Sequence, residues 1–364
     1  MMPGSLLFSL ARIRPNSGSL WLAPLMIWVF ASSTWSFSPE LTDEFSKKFA
    51  ATLLATLTAL TVVETTAILK RCIMAISLGT IVCLIQFVRE NGWNIDAISG
   101  ESSVRATIEG INANYFAYTI ATACGLCFIL LDRGASLRER FSWFVVCLLS
   151  GSVIAMSGSR GALIGVLMAA LWVAYRTVRP QGHYVARCFR ILYLLLPVFA
   201  ITGIVDERFR PETVSARETG DLNGRLRIWP MARQFFWDHP IRGIGAGTFE
   251  FESGLGFLPH NSYLTFAAEL GLVGLTLFCM SIWLLGVPTK NEVSTGATLP
   301  SEIIALINAP LLYSGVWDRS PVFWISLALI FRSRLQPVES LSSVPTNASP
   351  RLVRRSLGRR GRLH

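Results

Sequence analysis

The chain has 364 residues, of which 33 are lysine or arginine and 23 are aspartate or glutamate, so its formal net charge is +10. Only 15% of the residues are charged and 52% are hydrophobic, with a mean hydropathy of +0.48. Soluble domains carry about 25% charged residues. This composition excludes an ordinary water-soluble globular enzyme.

Long apolar runs follow one another along the chain, and most approach the length of about 20 residues that a helix needs to cross a bilayer. A helix satisfies its own backbone in lipid, and the alternating pattern of a membrane β-barrel is missing. We therefore predict an all-α polytopic membrane protein with about ten transmembrane helices. The runs are Leu20–Phe37, Phe49–Leu69, Cys72–Val88, Tyr115–Leu131, Phe141–Ser157, Gly161–Val178, Phe189–Val205, Tyr263–Val287, Ile303–Val316 and Pro321–Phe331.

The basic residues predict the orientation of these runs. With the amino terminus inside, 20 basic residues lie on the cytoplasmic side and 13 outside, seven of the 13 in one long loop. The predicted parts are a seven-span membrane region (1–205), an extracytoplasmic loop (206–261), a three-span region (262–331) and a basic, disordered cytoplasmic tail (332–364). The tail's position favours contact with anionic lipid over nucleic-acid binding. The first run resembles a signal peptide, and its cleavage would leave the remaining topology unchanged.

The seven cysteines lie in or beside the apolar runs, and the four histidines form no paired spacing with them. The pair Cys124 and Cys127 has redox-motif spacing, but thiols buried in lipid stay protonated. We predict no disulfide framework, no metal site and no cofactor.

The long loop contains the stretch NGRLRIWPMARQFFWDHPIRGIGAGTF, whose apolar and aromatic residues recur at helical intervals from Leu226 to Trp237. Arg225 and Trp229 are four residues apart, on one face. We expect an amphipathic helix on the membrane surface that ends at His239 and Pro240. The following GIGAGT is a turn rather than a dinucleotide fingerprint, because no strand precedes it.

Several polar residues stand at or near the predicted outer surface or within the membrane. His260 and Asn261 begin the eighth run; His260 is a base candidate or an interfacial residue that donates to a backbone carbonyl. Glu269, inside that run, is a functional or a structural carboxylate. Arg160, in SGSRGALIG, occupies a tight outer turn and either binds a ligand or reaches to lipid headgroups. Asp318, in YSGVWDRSP, is a site residue or a helix-end carboxylate.

The ordered motifs SGSRGALIG, GRLRIW, DHPIRGIGAGTF and PHNSYLTFAAELGLVGL resemble the bacterial O-antigen ligase and O-antigen polymerase superfamily of membrane glycosyltransferases, over roughly Gly151 to Asp318. The resemblance implies inverting transfer of a glycan from undecaprenyl diphosphate to a sugar hydroxyl of an acceptor. The acceptor would be lipid A-core for a ligase or a second lipid-linked repeat for a polymerase. It also implies a multi-pass protein of the bacterial inner membrane with its active site facing the periplasm.

The resemblance also implies roles for individual residues. Arg160 and Arg225 match arginines expected to hold the diphosphate, and His260 matches a histidine expected to activate the acceptor hydroxyl. Arg227, Arg242 and Asp318 match less closely and are expected, with Trp229 and Asn261, to bind substrate. No nucleotide sugar and no metal take part in such a reaction.

Two other classes of function stay open. A transporter or flippase of a lipid-linked saccharide would show midplane charges, discontinuous helices and internal repeats. Glu64 and Glu269 are the plausible midplane charges, and no internal repeat is visible in the sequence. A noncatalytic scaffold of an envelope-assembly complex would tolerate the loss of His260.

Overall fold

The structure is a computed structural model that describes residues 17–92, 108–109, 111–132, 137–178, 222–286 and 299–335. Within these ranges all regular secondary structure is helical, which confirms the all-α prediction. Short 3-10 turns occupy Ser32–Thr34 and Trp317–Arg319. The α-helices are α1 (Ser17–Ala31), α2 (Pro39–Val62), α3 (Thr66–Asn91), α4 (Ala113–Asp132), α5 (Leu137–Met156), α6 (Arg160–Val178), α7 (Leu222–Asp238), α8 (Phe249–Glu252), α9 (Ser262–Gly286), α10 (Leu299–Ser314) and α11 (Pro321–Leu335).

The apolar runs predicted on described residues coincide with helices, although helix bounds differ. Two of the described helices, α3 and α9, are long and apolar enough to cross a membrane. Shorter apolar helical stretches occur at Leu22–Thr34, Val145–Met156, Arg160–Val173 and Ser301–Ser314. The predicted span Phe189–Val205, the loop up to residue 221 and the tail beyond residue 335 lie outside the described residues.

The connection between α2 and α3 differs from the predicted one. The sequence prediction continues a span to Leu69, whereas the structure ends α2 at Val62 and begins α3 at Thr66. Thr65 caps α3, since its side chain accepts a hydrogen bond from the backbone N–H of Ile68. Glu64 is exposed in this turn. Glu64 therefore lies in the connection between two helices and not inside a continuous helical run.

Helix α7 is the amphipathic helix expected in the loop. Ile228, Ala232 and Phe236, spaced four residues apart, are buried, and Trp237 is 63% exposed. Phe235 packs edge-on against Phe249 of α8 at 5.8 Å between ring centroids. Burying a large apolar side chain contributes about 1.5–3 kcal/mol, so this face holds α7 on the bundle.

Helix α9 is interrupted at Gly271, whose φ of 65° and ψ of −164° are not helical. A Cβ atom at Gly271 would lie 2.3 Å from the carbonyl oxygen of Ile241, so the glycine permits a backbone contact that no other residue allows. The sequence did not predict this break. The residues before and after it, 262–270 and 272–286, form two helical segments of one apolar run.

The chain from Pro240 to Gly247 packs into this interruption. The carbonyls of Ala268 and Glu269 accept hydrogen bonds from the N–H groups of Ile244 and Gly245, at 3.1 and 2.8 Å. Beyond the break, the N–H of Leu272 donates to Pro240 at 2.8 Å. Trp28 of α1 donates its indole N–H to the carbonyl of Leu270 at 3.0 Å. The GIGAGT segment is thus a turn, as predicted, and it satisfies backbone groups that the break in α9 frees.

Close helix packing brings several interhelical turns to one end of the bundle. Gly161 of α6 faces Ser314 of α10, where an added Cβ would lie 2.3 Å from the hydroxyl oxygen. Tyr118 of α4 donates to the carbonyl of Ser314 and packs edge-on against Trp317 at 5.5 Å. The turns before α6 and after α10 therefore lie side by side, at the end that the sequence predicts to be extracytoplasmic.

Candidate functional site

His260 stands immediately before α9 in a left-handed backbone conformation, with φ of 50°, the one non-glycine residue with a positive φ in the described part of the chain. Its side chain is partly buried. Histidine tolerates this region better than most residues, but the conformation is uncommon and is often found where a side chain is held for a function. The predicted base candidate therefore occupies a constrained position at a helix start.

The residues on both sides of His260 are fixed by hydrogen bonds. Asn261 caps α9, because its side-chain oxygen accepts hydrogen bonds from the N–H groups of Tyr263 and Leu264 at 3.1 and 3.2 Å. On the other side, the indole N–H of Trp229 donates to the carbonyl of Pro259 at 2.6 Å. Asn261 is fully buried, and capping is the role that its hydrogen bonds give it; its binding of substrate stays a prediction.

Trp229 also connects α7 to α10, since its ring packs edge-on against Tyr313 at 5.8 Å. Arg225 and Arg227 lie on α7 near its first turn, and the structure describes their backbone only. Arg225 is four residues before Trp229 and therefore lies one helical turn away on the same face. Arg233 lies one turn after Trp229 on the same helix. The sequence places Arg233 among the arginines of the loop but assigns it no role.

Asp318 lies in the 3-10 turn after α10 and is 1% exposed. Its backbone N–H donates to the hydroxyl oxygen of Ser262, two residues after His260, at 3.4 Å. One oxygen of its carboxylate, Oδ1, has no hydrogen-bond partner among the described residues. Burial raises the pKa of Asp318 to about 6, against the opposing effect of the neighbouring Arg319. Asp318 thus contacts the first residue of α9, two residues after the predicted base candidate His260.

Arg160 is the first residue of α6, and its side chain is exposed. The turn that precedes it contains Gly158 with φ of 66° and the buried Ser159, whose hydroxyl has no hydrogen-bond partner in the described structure. Free backbone N–H groups at a helix start favour an anion, and the guanidinium adds a positive charge there. Because the next residue, Gly161, packs on Ser314, Arg160 lies near the turn that carries Asp318.

Arg319 is a polar residue of this region that sequence reasoning missed. Its guanidinium binds both oxygens of Glu269, at 3.0 and 3.2 Å, and lies 4.7 Å from the centre of the Phe45 ring. Glu269 also accepts hydrogen bonds from the N–H groups of Gly247 and Phe249. The structure thus gives Glu269 a structural role. The signal that could have found Arg319 is Glu269, because a carboxylate inside a membrane span requires a partner.

Arg242 has different surroundings. Its guanidinium lies 5.8 Å from the centre of the Trp35 ring, and its carbonyl accepts a hydrogen bond from the Trp35 indole at 3.0 Å. The side chain is exposed at the surface formed by the segment after α1. These contacts place Arg242 beside Trp35, apart from the contacts that join α7, His260 and Asp318.

The described contacts thus join Trp229 to Pro259 and Asp318 to Ser262, on the two sides of His260 and Asn261, with Arg160 near the turn that carries Asp318 and Arg225 one turn along α7. No group of three or more His, Cys, Asp or Glu side chains suited to a metal ion occurs among the described residues. The fold and the site define this protein as an all-helical membrane protein that carries an imidazole, a buried carboxylate and arginines at one end of its helical bundle.

Residues 145–279 match the family model of the O-antigen ligase. The match confirms the resemblance to the O-antigen ligase and polymerase superfamily and supports a ligase- or polymerase-like role in polysaccharide biosynthesis. It includes Arg160, α7 and His260, whereas Asp318 lies beyond it. No curated protein matches the chain.

Proposed function

We propose that the protein is an inverting membrane glycosyltransferase of the O-antigen ligase type. It transfers a glycan from undecaprenyl diphosphate to a sugar hydroxyl of lipid A-core or of a second lipid-linked repeat unit. The observation that carries the proposal is the placement of His260, inside the matched region, at a constrained helix start whose Ser262 contacts Asp318.

The chemistry requires little beyond cations and one base. A diphosphate is a good leaving group, so the protein has to stabilise the negative charge that develops on it. Arg160, at the start of α6, and Arg225, near the start of α7, are the cations proposed for this task, and a guanidinium fork suits a diphosphate. The exposed side chain of Arg160 leaves it accessible to such a ligand.

His260 is proposed to take the proton of the acceptor hydroxyl as the new glycosidic bond forms and the bond to the diphosphate breaks. Neutral imidazole suits this role near pH 7 and contributes about 10²–10⁴ in rate. Trp229 and Asn261 hold the backbone on either side of His260. Asp318 is proposed to bind substrate or to orient the site through its proximity to Ser262.

The site is proposed to face the periplasm in the bacterial inner membrane, where lipid-linked glycans meet their acceptors. The basic residues of the chain support this orientation, and contacts at the opposite end agree with it. There Arg332 donates to the carbonyl of Val63 at the end of α2, and Arg334 donates to carbonyls near the end of α9. Arginines that donate to helix-end carbonyls at this end of the bundle agree with the predicted excess of basic residues on the cytoplasmic side.

The interrupted helix α9 is a feature that the transporter hypothesis also predicts. In transporters the broken backbone binds ions or substrate. Here the carbonyls of residues 268–270 and the N–H groups of Leu272 and Val273 are bonded to protein groups. The break therefore serves packing, which favours the enzyme over the transporter.

The proposal is tested by incubating the purified protein with undecaprenyl-diphosphate glycan and either lipid A-core or a second donor molecule. Elongation of lipid A-core would identify a ligase, and elongation of the lipid-linked repeat would identify a polymerase. Absence of any new glycosidic bond, together with movement of intact donor across proteoliposomes, would contradict the proposal and favour a flippase.

A further inference from the structure

A groove runs along one face of α2, at the end of the bundle that carries the candidate site. Glu44, Phe45, Lys48, Phe49 and Thr52 line it at intervals of three and four residues, which place them on one side of the helix. Gly247, Glu250 and Arg319 close the opposite side, and the volume is about 530 Å³. This size lies within the range of roughly 300–1,000 Å³ that small-molecule sites occupy.

The charges of the groove disfavour a phosphate group. Lys48 is paired with Glu44 at 2.6 Å, and Arg319 is paired with Glu269 at 3.0 Å. Glu250 adds a further carboxylate to the lining. Because both cations already face a carboxylate and one more is present, an incoming anion would meet no net positive charge.

The same groups suit a ligand rich in hydroxyls. Carboxylates accept hydrogen bonds and the ammonium and guanidinium groups donate them, and the hydroxyl of a sugar does both. The rings of Phe45 and Phe49, stacked at 5.6 Å, supply an apolar wall for the C–H surfaces of such a ligand. Sites with an apolar lining and a few convergent polar groups are typical of small-ligand recognition.

The groove is next to the proposed reaction centre. Arg319, in its lining, directly follows Asp318, whose N–H bonds to Ser262. Gly247 lies so close to Phe45 that an added Cβ would approach the Phe45 side chain to 2.5 Å, so the turn after α7 forms one wall of the groove. The groove therefore adjoins the 3-10 turn that contacts α9 two residues after His260.

We infer that the groove between α2 and the Glu250–Arg319 wall is a subsite for a neutral saccharide, namely the glycan of the acceptor substrate. The identification of this saccharide as the acceptor rests on the proposed transferase function. The donor diphosphate belongs to Arg160 and Arg225, and the groove binds the sugar units that adjoin the accepting hydroxyl.

The test compares two paired substitutions on α2 in a His260→Ala background. Glu44→Ala with Lys48→Ala removes the pair that lines the groove. Asp43→Ala with Lys47→Ala removes a neighbouring pair with the same spacing and the same 2.6 Å distance, outside the lining, and serves as the matched control. The probe is the neutral oligosaccharide of the acceptor, released from its lipid by mild acid, and its binding is measured by calorimetry without donor.

We expect the variant with Asp43→Ala and Lys47→Ala to bind the oligosaccharide like the parent. The variant with Glu44→Ala and Lys48→Ala should bind it at least about tenfold more weakly, the factor expected for the loss of one hydrogen bond to a charged group. Inorganic diphosphate is expected not to displace it. Equal binding by both pairs, displacement by diphosphate, or no binding by the parent would overturn the inference.

Because the assay needs neither donor nor turnover, its result is independent of the transferase test. Groove-dependent binding in a protein that forms no glycosidic bond would refute the proposed function and support the saccharide site. Glycan transfer by a protein whose oligosaccharide binding does not depend on the groove would support the proposed function and refute the saccharide site.

Discussion

At the scale of single residues, the candidate site combines a few strongly constrained side chains. His260 has a positive φ, Asn261 caps the following helix, and Asp318 is buried beside them. Trp229 contacts Pro259 and Asp318 contacts Ser262, so tertiary contacts from α7 and from the turn after α10 add to the helix cap at Asn261. Substitutions that conserve shape should therefore separate chemistry from folding.

Arg225→Lys tests whether bidentate contact with a diphosphate matters. Lysine keeps the charge but loses the planar fork, so we expect transfer to fall by at least about tenfold while the protein still inserts. Steady-state kinetics with undecaprenyl-diphosphate glycan measure this change. Gln234→Lys, on the exposed face of the same helix, is the control for altered charge on α7. Unchanged turnover of the Arg225→Lys variant would reduce the role of Arg225 to simple charge.

Asp318→Asn should change the pH dependence of stability. Burial raises the pKa of Asp318 from 3.8 to about 6, so the folded state holds this proton more tightly than the unfolded state does. The resulting stabilisation is complete below about pH 4 and is lost as the pH rises through about 6; it amounts to ~3 kcal/mol. An asparagine side chain cannot ionise, so the substitution should remove this slope.

The measurement is the midpoint of thermal unfolding in detergent at pH 4, 5, 6 and 7. Because the wild-type protein loses this stabilisation as the pH rises, we expect Asp318→Asn to gain stability relative to wild type between pH 4 and pH 7. An identical pH profile for the two proteins would mean that Asp318 does not titrate in this range.

At the scale of helices, α7 contacts the residue before His260 through Trp229, and we propose that this contact positions His260. Trp229→Phe keeps an aromatic ring but removes the N–H that donates to Pro259. We expect kcat to fall by about tenfold or more with little loss of protein, because small misplacement of a catalytic group is costly. Trp237→Phe, on the exposed face of the same helix, should leave kcat unchanged. Equal kcat values for the two variants would remove Trp229 from the positioning of His260.

The interruption of α9 makes a second prediction at this scale. Gly271 and Gly254 both have φ of 65°, but an added Cβ at Gly254 meets nothing within 4 Å, whereas at Gly271 it meets the Ile241 carbonyl at 2.3 Å. Gly254→Ala should cost about 1–2 kcal/mol for the backbone conformation alone. Gly271→Ala should cost more than about 3 kcal/mol, since the backbone of residues 240–243 has to move.

Thermal unfolding of both variants in one detergent gives the comparison. Similar losses at the two glycines would show that the contact between Gly271 and Ile241 does not contribute to stability.

The sequence predicted α7 and the start of α9 because each carries a local signal. Helical spacing of apolar residues marks α7, and the polar His260 and Asn261 precede a long apolar run. Nothing in the sequence marks the break at Gly271, because Gly274 is also a glycine in the same apolar run and remains helical. What distinguishes Gly271 is its contact with Ile241, thirty residues away along the chain and fixed only by folding.

The same distinction applies to the site. Arg225 and Trp229 share a helical face, so their proximity could be predicted from spacing alone. The pair of Glu269 and Arg319 joins residues separated by 50 positions, and the sequence placed the carboxylate without its partner. The turn between α2 and α3 differs from the predicted one for a local reason. Lys70 and Arg71 separate two predicted runs, whereas the cap at Thr65 begins α3 before these two residues.

At the scale of the whole molecule, two ends of the helical bundle have different chemistry. One end carries His260, Asp318, Arg160 and the groove along α2. The other carries Arg332 and Arg334, whose side chains donate to carbonyls at the ends of α2 and α9. This difference between the two ends supports the proposal that the reaction takes place on one side of the membrane.

His260 is proposed to activate the acceptor hydroxyl, and the rate of undecaprenyl diphosphate release at saturating donor and acceptor measures this role. His260→Asn is the informative variant, because asparagine tolerates the left-handed backbone conformation but supplies no base. We expect wild-type protein to release one undecaprenyl diphosphate for each acceptor extended, and His260→Asn to be slower by at least about 10². Release by His260→Asn at the wild-type rate would contradict the account.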